Sequence, residues 1–280
     1  MVNFLGLGAQ KSGTSWAYTC LYEHPEVCIP VKEIHFFSRP RYAEGKGWYE
    51  EHFKRCDEGK LRGEWSTSYL YSEEAAERIR ACYPNAKLLA ILRNPVHRAY
   101  SQYRNAVRGG EIPKTMSFDA YSEKEKSVWD QGLYAVQLER YLKLFPREQI
   151  LVLIYEDIKK DPVAFMRRIH EFLGIRPDFV ASMINEEVNI ARTPTFVWID
   201  RVVHHISEFL RKQGLDRFVH AVRRTGLTDL LRKINTKEGA KKSEEEFDAR
   251  AGKAYVAEDV RALSLMLGRD LEAEWGIRDL

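Results

Sequence analysis

The chain has 280 residues, 44% of them hydrophobic and 30% charged, with a formal net charge of +3 at neutral pH. That length suits one large domain or at most two small ones, and it buries enough surface to need no covalent staples. The mild positive charge admits anionic ligands but lacks the concentrated basic stripes of a nucleic-acid binder. No apolar run approaches the roughly 20 residues that span a bilayer.

In chain order, MVNFLGLGAQ has no basic leader and reads as a strand rather than a signal peptide. Its apolar run Val2–Gly8 predicts a buried parallel strand. A helix is expected from about Thr14, with Trp16, Ala17, Cys20 and Leu21 at helical spacing. A second buried strand is predicted at Lys87–Leu92 (KLLAIL). A helix follows with Pro95 at its first position, Asn94 as cap and Val96, Tyr100, Tyr103 and Val107 as its apolar stripe. A helix at about 131–145 precedes the strand Gln149–Tyr155, and another runs from Asp161 to Leu173 and stops at Gly174. Segments 194–212 and 252–273 read as helices, and the polar run 235–246 as a loop. This alternation predicts an α/β fold, a single domain over 1–280 with a central parallel β-sheet flanked by helices. The four cysteines, Cys20, Cys28, Cys56 and Cys82, form no C-x-x-C pair and no zinc pattern, so they read as thiols. The expectation is a reduced, soluble, cytoplasmic protein.

The stretch GAQKSGTSW, residues 8–16, places a glycine- and hydroxyl-rich turn between the first strand and its helix. This P-loop-like strand–loop–helix context suits an anion, because backbone N–H groups and the positive helix end face the ligand. A Walker A loop carries its lysine after the second glycine; here Lys11 comes two residues before Gly13. Ser12, Thr14 and Ser15 add hydroxyl donors and Lys11 a point charge; a plain structural turn is the alternative. A P-loop NTPase also holds Mg²⁺ with an Asp at the end of a neighbouring strand. KLLAIL ends instead in Arg93-Asn94-Pro95, and an arginine there repels a cation and attracts a second phosphate. Ser101 lies about two turns into the following helix, so Arg93 and Ser101 can converge on one phosphate. Read singly, they are a structural ion pair and a helix-face hydroxyl. Trp16 either stacks on a flat base or is a core aromatic.

QKSGTSW with ILRNPVHRAYS resembles the paired signature of sulfotransferases that use 3′-phosphoadenosine 5′-phosphosulfate (PAPS). The resemblance implies that Lys11, Ser12, Gly13, Thr14, Ser15 and Trp16 hold the donor's phosphosulfate end. It assigns the 3′-phosphate to Arg93 and Ser101, with no metal required. KEIHFFS (32–38) is similar to the E-x-H-F-F segment of the enzymes that modify heparan sulfate. GKGWY (45–49), QGLYAVQLERYLKLFP (131–146) and LMLGRDLEAEW (265–275) resemble further segments of that branch. By this likeness Glu33 is the general base, a role open to a partly desolvated carboxylate, and Lys11 stabilises the leaving phosphate. His35 is the rival base, since cytosolic sulfotransferases use His, or an orienting group. Lys237 and Gly239 match loosely the family's late K-G segment over the 3′-phosphate; a solvated loop is the alternative.

One departure stands out. Where the heparan-type enzymes read E-K-[TS]-P-x-Y, this chain has Glu64-Trp65-Ser66-Thr67-Ser68-Tyr69, with Trp65 in place of the lysine. The change weighs against a glycosaminoglycan acceptor and leaves Lys11 as the main cation; Trp65 is a stacking platform or core. The acceptor wall is expected from Phe36, Phe37, Trp48, Tyr49, Trp65 and Tyr69, with helices near 194–225 opposite. The implied reaction moves a sulfuryl group from PAPS to a hydroxyl or amine of a carbohydrate or small-molecule acceptor, leaving PAP. A nucleotide phosphotransferase (kinase) and a non-catalytic binder of phosphorylated ligands are the competing readings.

Overall fold

The computed structural model describes residues 1–185, 193–194, 236–237 and 250–278. They fall into two units, one from 1–102, 117–185 and 250–278, the other from 103–116 with 193–194 and 236–237.

The first unit is built on five parallel strands: β1 (Phe4–Gly8), β2 (Val27–Cys28), β3 (Leu61–Trp65), β4 (Lys87–Leu92) and β5 (Ile150–Ile154). They lie in the order β2-β3-β1-β4-β5, as the alternation of strands and helices predicts. All five residues of β1 are buried, which is why it reads as an unbroken apolar run at the centre of the sheet. In register, Leu5 faces Glu64 and Gly6 faces Trp65 on one side, and Leu5 faces Leu88 on the other. A Cβ on Gly6 would meet the Trp65 indole at 2.2 Å, so the tryptophan takes the space that a side chain on the central strand would fill.

The helices of this unit are α1 (Thr14–Glu23), α2 (Gly45–Glu51), α3 (Ala75–Cys82), α4 (Pro95–Gly109, whose end enters the second unit), α5 (Phe118–Lys124), α6 (Ser127–Asp130), α7 (Tyr134–Leu142), α8 (Glu156–Lys160), α9 (Pro162–Leu173), α10 (Arg250–Leu267) and α11 (Leu271–Glu274). Local chemistry sets the ends that the sequence signals. Asn94 Oδ1 accepts the Val96 and His97 amides ahead of Pro95. Asp161 Oδ1 accepts the Ala164 amide, and α9 stops at Gly174 with φ of 78°. The start of α7 is served from far along the chain: buried Asp259 of α10 accepts the Ala135 and Val136 amides. One face of α1 and one of α9 share a core with Leu89, Ile91 and Leu153 of the sheet.

In the second unit, Tyr103 donates to the Met116 carbonyl at 2.7 Å. Two short strands, β6 (Thr193–Pro194) and β7 (Thr236–Lys237), pair antiparallel. Residues 195–235, and with them nearly all of the expected helix 194–212, lie outside the described residues, as does Gly239.

The reading of four thiols is corrected. Cys28 and Cys56 form a disulfide, with Cα atoms 5.8 Å apart, across 28 residues of sequence. No local spacing announces it, because β2 pairing beside β3 is what brings the two residues together. Cys20 and Cys82 are free. Among the described residues no helix is long and apolar enough to cross a membrane.

Candidate active site

The candidate donor loop leaves the C-terminal end of β1, the edge at which open α/β sheets bind ligands. The Ala9 amide donates to Ile91 of β4 at 2.8 Å. Lys11 (φ 68°) and Gly13 (φ 79°) then turn the chain through left-handed geometry into α1. A Cβ on Gly13 would lie 2.8 Å from the Tyr155 ring, so glycine is required on both counts. Helix α1 has no side-chain cap and no acid in its first turn, which suits its N-terminus to an anionic ligand.

Arg93, at the end of β4, reaches this loop. Its Nη1 donates to the Lys11 carbonyl at 3.0 Å, and its guanidinium lies 4.6 Å from the centre of the Tyr155 ring. Tyr155 thus packs against both Gly13 and Arg93. Ser101 is half-buried on α4, eight residues beyond Arg93. Within the loop, Ser12 and Thr14 are buried while Lys11, Gly13 and Ser15 are half-buried. The Ser12 hydroxyl has no solvent access in this arrangement.

Trp16 departs from the stacking expectation. It is buried in the core, its indole N–H donates to the Ile184 carbonyl at 3.2 Å, and its ring meets Phe165 of α9 edge-on at 5.8 Å. The helical face that carries it packs inward. The aromatic acceptor wall is corrected likewise: Phe36, Phe37, Tyr49, Trp65 and Tyr69 are fully buried, and only Trp48 of that set keeps partial exposure. Phe36 stacks on Tyr49 at 4.8 Å, so these rings form core beneath the site.

The segment 32–38 runs beside β3. The Glu33 amide donates to the Trp65 carbonyl at 2.9 Å, and Lys32 bridges to Trp65 in parallel register. Glu33 and His35 both adopt positive φ, 64° and 56°. Glu33, with a side chain 38% exposed, accepts from Thr67 Oγ1 at 3.2 Å and pairs with Lys32 Nζ at 3.4 Å. His35 Nε2 stands 3.9 Å from its other oxygen. His35 Nδ1 meets Ser68 Oγ at 2.7 Å, and Ser68 meets Ser38 at 2.6 Å. Burial lowers the His35 pKa, Glu33 opposes this, and Arg39, Arg41 and Lys32 reinforce it. Together these influences favour the neutral imidazole.

Lys32 closes the arrangement by donating to Ser15 Oγ of the donor loop at 2.7 Å. The structure thus links Ser15 to Glu33 through Lys32, and Glu33 neighbours His35. The sequence reading omitted Lys32, Thr67, Ser68 and Tyr155. The position of Lys32 beside Glu33 in KEIHFF was its one available signal. Lys237 lies in β7, in the second unit.

The sulfotransferase domain family model matches residues 3–215. The chain is 31% identical over 197 residues to the mouse bifunctional heparan sulfate N-deacetylase/N-sulfotransferase 4, covering 63% of this chain and 22% of that protein. It is 34% identical over 179 residues to the mouse heparan sulfate glucosamine 3-O-sulfotransferase 3A1, covering 61% of this chain and 45% of that one. It thus spans less than half the length of these relatives. A solved sulfotransferase from Alicyclobacillus acidocaldarius matches with a TM-score of 0.68 and 29% identity, covering 98% of both chains. The motif pair, the parallel sheet that presents it and a domain match over most of the sequence agree, and the chain belongs to the sulfotransferase domain family.

Proposed function

We propose that residues 1–280 form a sulfotransferase domain that moves the sulfuryl group of PAPS to a hydroxyl or amine of a carbohydrate or small-molecule acceptor, releasing PAP. The observation that carries this reading is the Lys32 bridge, which sets a candidate base beside an anion-binding loop. PAPS supplies an activated sulfur–oxygen bond when bound. The open amides of α1 and Lys11 hold the phosphate that leaves. Glu33 takes the acceptor's proton as the new bond to sulfur forms and the bond to the phosphate oxygen breaks. His35, held by Ser68, orients Glu33. Arg93 and Ser101 bind the 3′-phosphate; the assignment of Lys237 and Gly239 to that phosphate rests on the family resemblance alone. The kinase reading lacks its acid, since Arg93 stands where a Mg²⁺-holding Asp belongs. The acceptor class rests on the relatives, named for heparan sulfate; burial of Trp65 removes it as a sugar platform. A cytoplasmic location is part of the proposal, although the Cys28–Cys56 bridge is of a kind kept in oxidising compartments.

Donor binding tests the reading directly. PAP at about 100 times its dissociation constant stabilises a native protein by about 2.7 kcal/mol, so the thermal midpoint rises by several degrees. The rise is expected to persist in EDTA, and a strict requirement for Mg²⁺ overturns the assignment.

Lys32 gives a second test. Its ammonium sits between the donor loop and the base, where the sulfuryl group must pass. Lys32→Ala is expected to weaken PAPS by about tenfold, the lower range for a contact to a charged group, because the side chain is 24% exposed. PAP, which lacks the sulfuryl group, is expected to bind as it does to wild type. Equal losses for PAPS and PAP show instead that Lys32 only supports the loop.

A further inference from the structure

Beneath the segment that carries Glu33 and His35 lies a buried acid that the proposed chemistry does not use. Glu64 is on β3, one strand from the centre of the sheet, and is fully buried. Its Oε2 accepts from Ser66 Oγ at 2.6 Å. Its Oε1 accepts from the hydroxyls of Tyr69 and Tyr49, and the Ile34 amide also donates to the carboxylate. Two of these hydroxyls pass the connection on. Ser66 Oγ accepts the His35 amide at 2.8 Å, and the Tyr69 hydroxyl accepts the Phe36 amide at 3.1 Å. Three consecutive amides, 34 to 36, are thus drawn to one carboxylate or to hydroxyls that it holds.

Those amides lie within the stretch whose backbone is unfavourable. Glu33 and His35 adopt left-handed φ values that side-chain-bearing residues avoid. Such geometry persists only where its surroundings over-determine it. For β3 alone, a buried carboxylate is a poor structural choice, since an apolar residue at that position avoids desolvating a charge. We propose that Glu64 is a positioning residue for the candidate base. By gathering the amides of Ile34, His35 and Phe36 it holds Glu33 and His35 in the left-handed turn that presents them beside Lys32 and Ser15. This inference rests on the sulfotransferase reading for its consequence in turnover, but its structural content is testable apart from it.

The network holds the ionised form, because Ser66, Tyr69, Tyr49 and the Ile34 amide all donate to it. Burial opposes these donors and pushes the carboxyl up to about 7. Tyr49 and Tyr69, the titratable groups that face it, are raised well above 10 and stay neutral throughout. A carboxyl raised in the folded state binds protons more tightly there than in the unfolded chain. Its contribution to stability is therefore full below pH 4.5 and is lost as pH rises to 7, while ordering of the segment increases over the upper part of that range.

The experiment compares Glu64→Gln, Glu64→Asp and Ser66→Ala with wild type. It reads PAP-induced thermal shifts, kcat and KM for PAPS, and the His35 imidazole titration by NMR. Glu64→Gln is expected to bind PAP normally and keep KM within about twofold while kcat falls about tenfold. The His35 pKa should move up toward 6.5 as the turn loosens, and the loss of thermal stability between pH 5 and 7.5 should shrink. Glu64→Asp restores part of kcat. Ser66→Ala, which removes the hydroxyl joining the His35 amide to Glu64 and leaves the carboxylate and its two tyrosines in place, shifts the same titration even if Glu64→Gln does not fold. An unchanged His35 titration in Ser66→Ala, or parallel losses of PAP affinity and kcat in Glu64→Gln, overturns the inference. Shifted titrations in the variants, together with a wild-type protein that neither binds PAP nor transfers sulfate, leave the positioning role standing and sink the sulfotransferase reading instead.

Discussion

Glu33→Gln is expected to leave PAP binding intact and to lower turnover by roughly 10²–10⁴-fold, the usual worth of a positioned general base. The substitution keeps size and polarity, and the Thr67 hydroxyl and the Lys32 ammonium can still donate to the remaining carbonyl oxygen. What is lost is the ability to take a proton. Donor binding should survive, since the loop is braced separately by Arg93, Tyr155 and the Gly13 turn. His35→Ala should also reduce turnover, but less, because its ring stands 3.9 Å from Glu33 and acts by holding the carboxylate. The pH profile separates the two. Burial lowers the His35 pKa, so a His35 base predicts an acidic limb below pH 6.5 that persists in Glu33→Gln. A Glu33 base predicts that the acidic limb disappears in that variant. Full activity in Glu33→Gln together with none in His35→Ala reverses the assignment.

Arg93→Ala is expected to weaken PAP roughly 100-fold, in the range of a charge-assisted contact of about 1.5–3 kcal/mol. Were the 3′-phosphate the whole story, 5′-AMP, which lacks it, would bind as before. The structure alters that expectation. Arg93 also donates to the Lys11 carbonyl and packs on Tyr155, so its removal loosens the loop proposed to hold the 5′ end. A smaller loss for 5′-AMP, of a few fold, is therefore expected beside the large loss for PAP. Calorimetric titration of both ligands decides the matter: equal losses show that Arg93 serves only as a brace.

Much of the local structure around the candidate donor loop was legible in the sequence because its signals are local. An apolar run gives β1, Gly13 gives the turn, and Asn94-Pro95 marks the start of α4; each acts through residues within a few positions. The base half was harder to read. Glu33 and His35 emerged from resemblance alone, since an exposed glutamate outside any helix or strand carries no period and no cap. β3 was missed because LRGEW is short and carries two charged residues, although it pairs directly with the central strand. The aromatic residues were misplaced because a ring's residue type does not say which way it faces. Trp16 and the cluster around Phe36 turn inward once α1 packs on α9 and α2 packs over the base segment.

The sequence by itself determined an α/β chain with a phosphate-type loop after its first strand and an arginine rather than an acid at the end of KLLAIL. These depend on hydrophobic period and turn chemistry, which travel along the chain. Only the tertiary structure decided which strand lies beside which, and with it everything set by register. Placing β3 next to β1 puts Trp65 over Gly6 and leaves the Trp65 carbonyl to receive the Glu33 amide. It brings Lys32 to Ser15 across 17 residues and Glu64 beneath the amides of 34–36, and lets Cys28 reach Cys56. Contacts of that kind join residues with no local relation, and they exist only after the sheet has closed its core.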